Sequence, residues 1–124
     1  MESWKLTPVA QQKLLQISDF QLRVQRLHGM VEQYATAKVN ASLHEAPIRR
    51  AAEHLKITLI GAGYAQLAQV AASIAMALRR GGSAAGKARA LREGVGTLRA
   101  QLDTEQRIVA AEGRVRASPE PGPE

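Results

Sequence analysis

The chain has 124 residues, of which 17 are Lys or Arg and 11 are Asp or Glu, so its formal net charge is +6, a balance that favours acidic partners. Cysteine is absent, which excludes disulfides and cysteine-built metal sites, and no stretch approaches ~18 uninterrupted apolar residues, so no membrane span is expected. The opening residues, MESWKLTPVAQQ, lack the order of a signal peptide, and together these features predict a single-domain cytoplasmic protein.

The first predicted element, helix A, covers about residues 8–39. Thr7 and Pro8 have the pattern of an N-cap followed by proline at the first helical position. Apolar residues then recur at steps of three and four, at Ile17, Phe20, Val24, Leu27, Val31 and Tyr34. This spacing predicts an amphipathic helix with one buried stripe.

Helix B is predicted to begin within residues 44–47, because Ser42 and Glu45 have capping-box spacing and Pro47 suits a first helical turn. Its main apolar stripe consists of Ile48, Ala51, Ala52, Leu55, Leu59 and Ala62. The triplet GAG at Gly61–Gly63 ends this helix, kinks it, or leaves it continuous but thin enough for close packing. Helix C carries the next stripe, at Leu67, Val70, Ala71, Ile74 and Leu78.

Helix D follows the sequence RRGG, which stops helix C, and Ser83, which can cap the next helix. Its stripe extends towards Gly113 through Ala84, Ala88, Leu91, Val95, Leu98, Leu102 and Val109. Residues 114–124 are rich in proline and charge and are predicted to be disordered, so the domain covers residues 1–113. No segment has the two-residue period of a strand. The predicted fold is therefore all-α, an antiparallel up-and-down four-helix bundle, with three long helices if Gly61–Gly63 does not break helix B. The more similar helix lengths favour four.

Helix B has a second apolar row opposite its main stripe. With about 100° per residue, Glu53, Ile57, Ile60 and Tyr64 lie ~120–180° away from Ile48. Gly61 and His54 flank this row on one side, and Arg49 and Lys56 flank it on the other. A row of this kind is buried within the bundle, is buried in a homodimer interface, or forms a docking patch for another protein.

Residues 48–81 resemble a histidine-containing phosphotransfer (Hpt) domain. The resemblance lies in the segment Ala51–Lys56, AAEHLK, and in a later set of matching positions, namely Gly63, Leu67, Ala68, Ala71, Ile74, Arg79 and Gly81. It implies a module of two-component-type signalling, in a phosphorelay, that docks the receiver domain of a response regulator through helix B. In the family a histidine in mid-helix accepts the phosphoryl group, but Glu53 stands at that position here, and Ile57 stands where the family has glycine.

The resemblance leaves three interpretations open. In the first, docking is retained without phosphotransfer, Glu53 pairs with Lys56, and the docking residues are Arg50, Lys56, Ile57, Ile60, Gly61 and Tyr64. In the second, His54 accepts the phosphoryl group and Arg50, one turn earlier, steadies it. In the third, the match reflects only the composition of an alanine-rich bundle, and the chain is a structural or homodimeric bundle without signalling chemistry.

Other features suggest no further chemistry. The three histidines have no metal-site spacing, so neither a metal nor a cofactor is predicted, and no enzyme activity is expected beyond a phosphorelay step at His54. Only four aromatic residues are present, and they are scattered, so nucleic acid is not the expected partner. Five cationic residues gather near the turn between helices C and D and predict a steering patch for an acidic protein, namely Arg79, Arg80, Lys87, Arg89 and Arg92.

Overall fold

The computed structural model of the protein describes residues 4–116, and it describes their side chains from Lys5 to Arg114. Four α-helices follow one another in this part of the chain. They are α1 (Pro8–Thr36), α2 (Glu45–Gly61), α3 (Ala65–Arg79) and α4 (Ala84–Glu112), with a 3-10 helix at Ala41–His44. Two short strands, β1 (Trp4–Leu6) and β2 (Arg114–Arg116), bracket them. The predicted all-α four-helix bundle is confirmed.

The predicted apolar stripes form the core, except at the start of α4, where Ala84 is exposed. α1 packs against α2 and α4, and α3 packs against the same two helices, so each helix has two neighbours around one apolar centre. The stripe residues of α1 are buried throughout, and the largest fully buried side chains include Phe20, Tyr34, Leu59 and Leu98. None of the described residues that are buried is charged or polar in class; all are hydrophobic. Burial of apolar surface therefore supplies the main driving force for this fold.

The GAG triplet ends α2 at Gly61. The amide of Ala62 still donates to the carbonyl of Thr58, and Gly63 then adopts a φ of 90°. This left-handed conformation suits glycine because it has no Cβ. The turn makes α2 and α3 an antiparallel pair.

Both helix caps predicted from hydroxyl residues next to α1 and α4 are present. The side chain of Thr7 accepts a hydrogen bond from the amide of Ala10, and that of Ser83 accepts one from Gly86. The predicted capping box of helix B is wrong, because residues 41–44 form the 3-10 helix and α2 begins without a side-chain cap.

The two ends of the described part of the chain are paired, which corrects two expectations. Strands β1 and β2 form an antiparallel ladder, with Trp4 opposite Arg116 and Leu6 opposite Arg114. Residues 114–116 are therefore ordered rather than part of a disordered tail, and the predicted absence of strands is wrong. Three-residue strands are too short to show a two-residue period in sequence. The rest of the predicted tail, residues 117–124, lies outside the described residues.

Two glycines of α4 provide a matched test of the packing. A Cβ added to Gly94 would lie 2.5 Å from Cγ1 of buried Ile74, whereas one added to Gly96 would meet nothing within 4 Å. Alanine in a helix interior is favoured over glycine by ~1 kcal/mol, but overpacking costs about 1–3 kcal/mol. We expect Gly96→Ala to raise the free energy of unfolding and Gly94→Ala to lower it by about 1 kcal/mol, as measured by urea denaturation. Equal shifts in both variants would contradict this close contact between α3 and α4.

Candidate functional site

The outer side of α2 carries two large apolar residues that the bundle leaves uncovered. Ile57 is 64% exposed and Ile60 is 58% exposed, whereas Leu55 and Leu59 on the same helix are 3% and 1% exposed. α2 therefore has one apolar side inside the core and another at the surface. A single copy of the chain therefore does not bury the second apolar row at Ile57 and Ile60.

Tyr64 does not belong to this outer row, which corrects its prediction as a docking residue. α2 has already ended at Gly61, so the 100° spacing used for the prediction no longer applies. The ring of Tyr64 packs edge-on against that of Phe20, with 6.0 Å between their centroids. Burial, together with the negative charge of Glu105, raises the pKa of Tyr64. Tyr64 is thus a residue at the edge of the core.

Glu53, at the family's acceptor position, has a different partner from the predicted one. Its carboxylate accepts a hydrogen bond from the guanidinium of Arg79 on α3 and does not pair with Lys56. The sequence could not reveal this pair, because the two residues are 26 positions apart and meet only through the turn at Gly63. The ion pair spans the outer edge of the α2–α3 interface.

Met76 extends the exposed apolar surface onto α3, and the sequence analysis missed it. It is 48% exposed and lies three residues before Arg79, while Ile57 lies four residues after Glu53. Residues three or four apart share a helix face, so the Glu53–Arg79 pair places these apolar side chains on the same side of the two helices. We call this surface the α2–α3 face and define it by Lys56, Ile57, Ile60, Gly61 and Met76.

The charge around the α2–α3 face is positive. Arg50 is exposed, and Arg49 and Lys56 are half-buried; none of these three takes part in an ion pair between described residues. Glu53, the acidic residue of the predicted row, is already paired with Arg79. Gly61, the remaining predicted docking residue, is exposed. The face therefore combines uncovered apolar side chains with cations that have no carboxylate partner among the described residues.

The predicted basic patch near the turn between α3 and α4 is largely neutralised. Arg92 donates two hydrogen bonds to Glu32, at 2.8 and 2.9 Å, and these contacts lower the pKa of Glu32. Lys87 lies 3.4 Å from a carboxylate oxygen of Glu45. Arg79 pairs with Glu53, as described above. Only Arg80 and Arg89 of the five predicted cations form no ion pair with a described residue.

His54 lines a groove of about 410 Å³ between α2 and α1. The side chain is exposed. Arg50, predicted to assist it, does not line the groove, whose arginines come instead from α1. The main lining residues are Arg23, Arg26, Met30, Ala51, His54 and Leu55. The arginines were missed because they lie about 30 positions away in sequence.

Two features are absent from the described residues. Nowhere between Lys5 and Arg114 do three or more His, Asp or Glu side chains converge as they would around a metal ion. None of the described helices combines the length and the apolar character needed to cross a membrane.

Comparison of the chain with protein-family models, with curated proteins and with solved structures gave no significant match.

Proposed function

We propose that this protein is an interaction module that docks an acidic protein, a receiver domain of the two-component type, on its α2–α3 face. The observation that carries the proposal is the exposure of Ile57 and Ile60, at 64% and 58%, on a helix whose opposite side is fully buried. Exposed apolar clusters with a polar rim are typical of protein-binding sites. The Hpt resemblance implies docking through the same helix.

Charge complementarity supports an acidic partner rather than a second copy of the chain. Arg49, Arg50 and Lys56 lie on the helix that carries the isoleucines, and the net charge of the whole protein is +6. A symmetric dimer through this face would place two copies of the same basic patch in one interface, and Glu53, the acidic residue of the predicted row, is already paired with Arg79. A receiver domain offers an acidic site, which the cations would attract and orient.

The proposal assigns no phosphoryl transfer to the acceptor position of the family. Glu53 is a carboxylate there and is held by Arg79, so it offers no imidazole nucleophile. Phosphorylation of His54 remains a prediction; its exposed side chain lines the groove between α1 and α2.

Aspartate substitutions test the face. We expect Ile57→Asp and Ile60→Asp to weaken binding to a purified receiver domain at least about tenfold, because a charge would replace the central apolar contact and the few hot-spot residues at the centre of an interface cost about 2 kcal/mol or more when truncated. Leu22→Asp is a matched control, since Leu22 on α1 is 60% exposed and lies on the face of α1 opposite its core stripe. Binding would be measured by titration calorimetry against a panel of receiver domains.

Three results would contradict the proposal. The first is no binding by wild type to any domain of the panel at about 100 µM, and the second is an equal loss in the Leu22 control. The third is a stable wild-type dimer in sedimentation that Ile57→Asp converts to a folded monomer. That result would assign the face to self-association, the alternative that the sequence analysis left open.

A further inference from the structure

We infer that the groove between α1 and α2 binds a small amphiphilic anion, with an aliphatic chain on the apolar wall and an anionic head group at the rim. The lining of the groove includes none of the residues that define the α2–α3 face. The inference therefore does not depend on the proposed docking function.

The wall of the groove is apolar. Four apolar residues line it: Leu27 and Leu55 are 2% and 3% exposed, and Met30 and Ala51 are half-buried. A volume of about 410 Å³ falls in the range of small-molecule sites, ~300–1,000 Å³, which are mostly apolar with a few convergent polar groups. Such a wall suits an alkyl chain.

The rim carries more cationic groups than carboxylates. Asp19 is the acidic residue of the lining, and its carboxylate already accepts a hydrogen bond of 2.9 Å from Nε of Arg23. That bond uses one N–H of Arg23 and leaves its terminal nitrogens free of described partners. The side chains of Arg26 and His54 form no hydrogen bond or ion pair with another described residue.

These groups match an anionic head. A guanidinium presents a fork of N–H donors that bind carboxylate or phosphate oxygens in pairs. The imidazole of His54 adds a further polar group from the opposite wall. The groove thus joins an anion-binding rim to an apolar floor, and this combination selects a ligand that has both parts.

Titration calorimetry with octyl phosphate tests the inference. We expect saturable binding of one molecule per chain. Arg26→Gln should weaken it about tenfold by removing a paired, charge-assisted contact. Ala51→Leu should weaken it at least about tenfold by filling the groove without a change of charge. Arg99→Gln on α4 removes an exposed arginine outside the groove and should leave the affinity unchanged. Circular dichroism would establish that each variant is folded.

Two further ligands separate the parts of the site. Inorganic phosphate should bind at least tenfold more weakly than octyl phosphate, and 1-octanol should bind weakly without sensitivity to Arg26→Gln. No saturation by octyl phosphate at about 1 mM would overturn the inference. So would equal affinity of the Arg26→Gln and Arg99→Gln variants, or equal binding of inorganic phosphate, which would indicate a simple phosphate site.

Discussion

Replacement of Leu59 by alanine is expected to lower the free energy of unfolding by about 2–5 kcal/mol, the usual cost of removing a buried leucine side chain. Leu59 is 1% exposed and belongs to the shared core of the bundle. The loss combines the missing transfer free energy with the cavity that remains. Urea denaturation followed by far-ultraviolet circular dichroism measures it.

Ile57→Ala is the matched control, two residues away on the same helix. Ile57 is 64% exposed, and surface substitutions usually change stability by no more than ~0.5 kcal/mol. A loss above 1 kcal/mol in Ile57→Ala, in a protein shown to be monomeric, would mean that the outer side of α2 also holds the fold together.

The second large effect is expected at alkaline pH and comes from Tyr34. This residue is 2% exposed, and its hydroxyl donates a hydrogen bond of 2.8 Å to Glu45. Burial, and then the contact with Glu45, raises the pKa of Tyr34 from 10.0 to about 12. The folded protein therefore keeps the phenol proton more tightly than the unfolded chain does.

The sign of the effect follows from proton linkage. Stability from this phenol is fully present below pH 10 and falls as the pH rises from 10 to about 12, because the unfolded chain releases the proton first. A shift of this size corresponds to about 2–3 kcal/mol. Urea denaturation between pH 8 and 11.5 should show a steeper loss in wild type than in Tyr34→Phe.

A second variant, Lys87→Gln, tests whether titration of the Lys87 amine rather than of the phenol causes the loss of stability at alkaline pH. Lys87 lies beside the same carboxylate of Glu45, so its titration also changes the local charge. Lys87→Gln retains the phenol and should retain the steep alkaline loss. If Tyr34→Phe and wild type have parallel pH profiles, the phenol is not responsible.

Local sequence signals predicted the helices well. The three- and four-residue spacing identified the core side of every helix, and Thr7 and Ser83 marked the starts of α1 and α4 through contacts only three residues long. These features depend only on residues that are close together in the sequence, so they can be predicted from the sequence. The sequence left open whether the GAG triplet ends helix B, and the turn, with a φ of 90° at Gly63, is established by the structure.

Contacts between distant positions were not predictable in this way. Glu45 was assigned to a capping box, whereas it bonds to Tyr34 and lies near Lys87, 42 positions away. Glu53 was paired with Lys56 by helical spacing, but the guanidinium of Arg79 reaches it from the next helix. Tyr64 was placed on α2 by a spacing that ends with the helix at Gly61.

The candidate site was predicted in part for the same reason. Ile57 and Ile60 were found because one helix displays both, whereas Met76 was missed because it joins them only after α3 folds back. The groove beside His54 was missed for an equivalent reason, since its arginines lie on α1. Single-helix surfaces can be read from one sequence, but surfaces shared by two helices need the fold.

The most direct test of the central claim maps a bound receiver domain on the isotope-labelled protein by amide ¹H–¹⁵N NMR. If α2 offers its outer side to an acidic partner, the largest shifts on titration should fall on Ile57, Ile60 and Met76, and those of Leu15 and Leu22 on the far side of α1 should stay in place. Shifts centred on α1 or α4, with the α2–α3 face unaffected, would contradict the account.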